Sequence, residues 1–165
     1  MRHLLKASTL AALAFAFAAA GATAAPNAGI PSTAFGAILS ENLDWKPFPA
    51  FPPEARLAIL IGDPTKPGPY VVRVKLPGGV KLMPHRHPED RIYTVMSGVF
   101  YIGIGDTFDA AKLQAYGPGS VIVLPGNTPH FHWARSGEYV TQVTATGPLG
   151  MKYVDEHDDP RTPAR

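Results

Sequence analysis

From residue 54 to residue 150, apolar and polar positions alternate in short runs, and each run ends in a turn rich in glycine or proline. That is the pattern of β-strands with one buried face. Residues 56–61 form an apolar run closed by Gly62-Asp63-Pro64, and residues 70–76 alternate until Pro77-Gly78-Gly79 stops them. Residues 91–96 are rich in β-branched side chains and turn through Ser97-Gly98 into residues 99–104. Residues 120–124 precede Pro125-Gly126-Asn127, and residues 138–146 hold the strand formers Val140, Thr141, Val143 and Thr144. One helical turn is expected near residues 109–114. Many short strands with almost no helix predict an all-β domain over 54–150, built as an antiparallel sandwich or barrel.

The flanks read differently. Residues 25–53 are rich in proline, alanine and glycine, yet they carry Phe35, Trp45, Phe48 and Phe51. A disordered stretch usually has fewer large apolar groups, so these residues are expected to form an extended N-terminal arm laid across the core through those aromatics. Residues 151–165 are expected to form a flexible C-terminal tail, polar and proline-containing from Asp155 onward. At the other end, Met1-Arg2-His3-Leu4-Leu5-Lys6 is a basic head, residues 7–20 are almost wholly apolar, and Ala22-Thr23-Ala24 supplies a small-x-small pattern. The apolar run is shorter than the roughly 20 residues a membrane span needs. Residues 1–24 therefore read as a signal peptide cut after Ala24, which puts the mature protein in the periplasm or the medium, without a membrane partner.

The leader changes the charge picture. The whole chain has a formal net charge of +2 at pH 7. The leader holds Arg2 and Lys6 and no acid, so the mature chain counts as neutral and lacks the basic stripe that nucleic-acid binding requires. None of the 165 residues is cysteine, which excludes both a disulfide framework and a thiolate metal site. Any metal must rest on nitrogen and oxygen. No Gly-x-Ser-x-Gly nucleophile motif is present. Gly103-Ile104-Gly105-Asp106 is followed by no helical pattern, so it reads as a strand end and not as a dinucleotide loop.

Four of the six histidines fall into two alternating pairs, His85-Arg86-His87 and His130-Phe131-His132. In a strand, residues i and i+2 project from one face. Each pair can thus present two imidazoles to one ion, and neutral imidazole suits zinc, copper, iron and nickel. The pairs are far apart in the chain, so only a fold that brings two strands together joins them. His157, in an acidic stretch, reads as a solvated side chain.

The bracketing residues carry a family resemblance. Gly79, five residues, His85-x-His87 and then Gly98 resemble the first conserved motif of the cupins, and Gly119, five residues, Pro125, four residues and His130 resemble the second. The resemblance covers about residues 79–134. It implies a small single-domain barrel of cupin or jelly-roll type, similar to the type-2 cupins, in which His85, His87 and His130 bind one divalent transition metal: iron, manganese, zinc, nickel or copper. It leaves the reaction open, because cupins include dioxygenases, isomerases, decarboxylases, storage proteins and sensory modules.

The chain departs from the family pattern at one informative position. Cupins usually supply a glutamate ligand seven residues before the glycine matching Gly98, and that residue here is Arg91. A guanidinium has no lone pair for a metal. A fourth ligand is then sought in Glu89 first, then in His132 or Gln142, or in water. An inward Arg91 beside a dication calls for an anion, such as a substrate carboxylate held by its bidentate fork. Alternatively, Arg91 pairs with Asp90 or Glu89 near the rim and orients the loop. Arg91, Tyr93 and Tyr101 are the candidate catalytic residues, the two tyrosines as pocket-lining groups on facing strands. Trp133 should face away from His132, under the arm or a partner subunit.

Two classes of function follow. One is a secreted metal-dependent oxygenase, isomerase or lyase acting on a small polar molecule, with iron or manganese favouring oxygenase chemistry and zinc favouring lyase or isomerase chemistry. The other is a noncatalytic small-molecule binding or sensing module of the same fold. Edge strands and the aromatic arm also point to a homodimer.

Overall fold

A computed structural model of the chain describes residues 35–162. The signal-peptide reading of residues 1–24 with its cut after Ala24, the arm residues 25–34 and the tail residues 163–165 lie outside the described residues. The described chain forms β1 (Arg56–Ile61), β2 (Gly68–Leu76), β3 (Lys81–Arg86), β4 (Arg91–Ser97) and β5 (Phe100–Ile104), followed by β6 (Gln114–Tyr116), β7 (Val121–Leu124), β8 (His130–Trp133), β9 (Tyr139–Gly147) and β10 (Lys152–Tyr153). All pairings are antiparallel. One sheet has the order β1-β2-β9-β4-β7 and the other β10-β3-β8-β5-β6. Together they make the expected all-β, jelly-roll-type barrel. Among the described residues, no helix is long and apolar enough to cross a membrane.

Alternation along the strands sets the inside. On β2, Tyr70, Val72, Val74 and Leu76 are buried, while the residues between them are partly exposed. β9 pairs with β2 along its whole length and buries Tyr139, Thr141, Val143 and Ala145 on the same side. Each fully buried large apolar side chain is worth about 1.5–3 kcal/mol, so this period of two holds the two central strands in one register. The turn from β4 to β5 needs Gly98: its φ is +69°, and a Cβ there would run into the carbonyl oxygen of Glu138. β4 itself inverts the usual rule, turning Arg91 inward and leaving Ile92 45% exposed on the outer face.

Several expectations change. The helical turn is a 3-10 turn at Ala110–Lys112, capped by the Asp109 carboxylate, which accepts from Ala111 N at 2.9 Å. β6 and β10 were not legible as strands. β10 also corrects the tail reading of 151–165: Lys152 and Tyr153 pair with Arg86 and His85, and Met151 and Tyr153 are buried. The barrel therefore continues past residue 150, because the Tyr153 ring has an apolar interior to enter. The arm is corrected at its start, where Phe35 is fully exposed. Further on, Lys46 pairs with Leu57, Phe48 packs on Phe51 at 4.9 Å, and the Tyr153 hydroxyl donates to the Ala50 carbonyl at 2.9 Å. Trp133 does face outward, where Phe108 and the Lys81 ammonium cover it.

Candidate metal centre

β3 carries a register shift between Leu82 and His85, around Pro84, which has no N–H to give to the ladder. Beyond it His85 and His87 both turn inward, and His85 stands directly opposite His130 on β8. The three side chains are 0%, 3% and 0% exposed. One ligand nitrogen from each lies within 4.8 Å of the other two.

The backbone fixes which nitrogen that is. Nδ1–H of His85 donates to the Met83 carbonyl at 2.7 Å, that of His87 to the Gly150 carbonyl at 2.5 Å, and that of His130 to the Thr128 carbonyl at 2.9 Å. A carbonyl oxygen only accepts, so each ring is protonated at Nδ1 and keeps its lone pair on Nε2. Nε2 of His85 and of His130 is buried and has no hydrogen-bond partner. Buried polar atoms are nearly always satisfied, and metal-bound histidines characteristically donate their other N–H in this way. The donor set thus fits a nitrogen-preferring divalent transition ion.

The electrostatics agree. Burial, then Arg91, pushes the His130 pKa down to about 4, against a donation to Thr128 that raises it. Burial first and His130 second hold His85 well below the ordinary histidine value. Burial and then Arg91 do the same for His87. All three rings are neutral at physiological pH, the form that binds metals.

Arg91 and Glu89 satisfy each other beside the cluster. Arg91 points into the barrel, and its Nη2 and Nε reach Glu89 Oε1 at 2.5 and 3.1 Å. Their side chains are only 3% and 8% exposed. Tyr70 donates to the same oxygen at 2.9 Å, and Gly150 N donates to Oε2 at 3.2 Å. Glu89 is therefore not a fourth ligand; a buried guanidinium, the Tyr70 hydroxyl and a backbone amide claim both of its oxygens. The two readings of Arg91 merge: it faces inward, and its partner is Glu89. Asp90 turns away and accepts from Gly126 N.

The other candidates divide by strand face. Tyr93 is inside, 2% exposed, with its hydroxyl unpartnered, and burial keeps that phenol protonated against the pull of Arg91. Tyr101 points outward, because Phe100 and Ile102 on either side of it occupy the interior. Gln142 also points outward and accepts from Arg73 at 3.3 Å. Neither can serve the site. His132 is inside but one pair deeper, opposite Leu82, within 4.8 Å of Phe100, and it lies outside the three-nitrogen group. His157 sits on the surface against Asp155. Sequence reasoning missed the backbone carbonyls of Met83, Thr128 and Gly150, and it missed Tyr70. Only Gly150 leaves a signal: a Cβ there would meet the Pro88 ring. A cavity of about 10 Å³ adjoins His85, His87, Arg91, Tyr93 and His132, with Phe51 of the arm in its wall.

No protein-family model matches the chain, and no curated protein matches its sequence. Solved structures do match. The polyketide cyclase RemF of Streptomyces resistomycificus superposes with a TM-score of 0.62 at 17% identity, over 78% of this chain and 91% of that one. The DMSP lyase DddQ of Ruegeria pomeroyi DSS-3 gives 0.55 at 18% identity, over 68% of this chain and 61% of that one. A cupin 2 conserved barrel domain protein of Rhodopseudomonas palustris gives 0.51 at 15% identity, over 63% and 69%. The chain has the cupin fold.

Proposed function

We propose that the barrel is a metal-dependent enzyme of lyase or isomerase type, acting on a small anionic molecule, with His85, His87 and His130 holding one divalent transition ion. The observation that carries this reading is the set of three inward Nε2 lone pairs, pinned by three backbone carbonyls and, for His85 and His130, buried without partners. When bound, the ion would supply Lewis-acid polarisation of a substrate oxygen. The chain's own residues select what comes to it. Three neutral imidazoles and a mutually neutralised Arg91–Glu89 pair contribute no net charge beside the cluster, so an anionic substrate would balance a dication that no carboxylate ligand offsets. The Tyr93 phenol is a hydrogen-bond donor facing the same small cavity. Two of the fold neighbours are named for cyclase and lyase chemistry, which supports the non-oxidative class. Export belongs to the same proposal, on the strength of the leader pattern in residues 1–24.

Metal analysis of the purified protein tests the reading. About one ion per chain is expected, with loss of cobalt(II) uptake when His85 and His87 are both changed to Ala in a variant whose circular dichroism stays native. A wild-type protein that takes up neither zinc(II) nor cobalt(II) would sink it. One observation favours a noncatalytic binding module instead: the cavity beside the histidines has room for an ion or a water and nothing larger.

A further inference from the structure

The cramped interior raises the question of where a substrate would sit, and the two flanks of the barrel answer it differently. Between β1 and β10, arm residues Ala50 and Phe51 are 3% and 4% exposed, and Phe51 walls the cavity. Between β5–β6 and β7 lies a groove of about 510 Å³, within the size range of small-molecule sites.

The inner wall of this groove is one residue from the histidine cluster. Ile104 stands opposite His130 and Ile102 opposite His132, across the β5–β8 ladder. Leu124 stands opposite Arg91 and Ile122 opposite Tyr93, across β4–β7. Directly opposed residues share a face and have Cβ atoms about 4.5–5.5 Å apart. Four apolar residues of the groove are therefore the immediate cross-strand neighbours of His130, His132, Arg91 and Tyr93, four of the inward polar residues of the barrel. The lining is otherwise aliphatic and aromatic apart from Gln114 and Lys112. Lys112 is the sole charged residue lining the groove, it is exposed, and it makes no ion pair among the described residues.

We propose that this groove is the substrate-binding cleft, and that it takes a small molecule with an apolar body and one anionic group, the anion pairing with Lys112 and the body lying on Ile102, Ile104, Ile122 and Leu124. The proposal rests on the reading of the histidines as a metal centre and names the substrate class for it. Ile104, a half-exposed side chain (53%), is the groove residue that stands directly opposite a member of the cluster, His130.

A suitable probe is 8-anilino-1-naphthalenesulfonate, an aromatic body with one sulfonate. The folded wild-type protein should bind one molecule with a blue-shifted emission. Lys112→Glu and, separately, Ile104→Asp should each weaken binding about fivefold to tenfold. The charge control Lys152→Glu, at an exposed position on β10, should bind like wild type. Cobalt(II) uptake, read by its absorption, should be the same in all four proteins, and cobalt loading should quench the bound probe. Probe binding indifferent to both groove substitutions overturns the proposal, as does a dimer that buries Ile104 and Val123 and leaves no probe site. Failure of cobalt(II) to bind the wild type overturns the metal reading instead, and the probe titrations then judge the groove alone.

Discussion

Between β1 and β10 the edges of the two sheets are joined by chain: Lys46 pairs with Leu57, Phe51 fills the gap, and Tyr153 ties down Ala50. Between β6 and β7, among the described residues, nothing comparable lies in the gap, and Ile104, Val121 and Val123 are 53%, 61% and 69% exposed. The first flank packs like a protein core, and the second like a binding surface. The difference teaches how one small barrel can keep four imidazoles dry and still set one of them, His130, directly opposite a half-exposed residue, Ile104. Dryness depresses their pKa values, and the open flank leaves that dry core intact.

Acid should act on what the flanks enclose, and its effect should be the largest. In the metal-free protein the buried histidines have folded-state pKa values below the ordinary 6.5, with His130 at about 4. The unfolded chain therefore binds more protons than the folded one, so the stability is full above pH 6.5 and is lost progressively as the pH falls toward 4. Urea unfolding at a series of pH values measures it, and a flat profile across that window would break the picture of a dry interior.

On the sealed side, Glu89→Gln should cost about 3–5 kcal/mol, because it leaves the Arg91 guanidinium buried without its counter-ion. It also weakens the hold on Gly150, just ahead of β10. Phe51→Ala should cost about 3 kcal/mol by opening a void beside the histidines, seen as a lower unfolding midpoint with an unchanged m-value. Ile104→Ala, on the open side, should cost under about 1 kcal/mol, since its side chain is already half in water. Equal costs for the Phe51 and Ile104 truncations would erase the contrast between the flanks.

How much of this was legible in the sequence depends on the length of the signal. The long strands β2, β4 and β9 showed themselves by alternation, and the i, i+2 spacing was enough to turn His85 and His87 to one side. β6 and β10, three and two residues long, are too short to carry a period. Tyr101 and Gln142 were misread because a strand shows which residues share a face but not which face is inside, and Phe100, Ile102, Thr141 and Val143 settle that only by packing. Arg91 was legible as a departure from the glutamate pattern. Its pairing with Asp90 or Glu89 was one of two readings the sequence offered; the choice of Glu89, its burial and its completion by Tyr70 and by Gly150 far along the chain needed the fold.

The three carbonyls that hold the histidine rings have a consequence for how this site can drift. A main-chain oxygen belongs to no particular side chain. Residues 83 and 128 are free to change identity while the imidazoles keep their orientation. Position 150 is held to glycine by the Pro88 ring, for a reason that has nothing to do with its oxygen. Comparison of sequences would then register the histidines as invariant and their bracing as noise. The part of the site that decides which nitrogen faces inward would pass from one lineage to the next as a path of the backbone, unmarked by any letter.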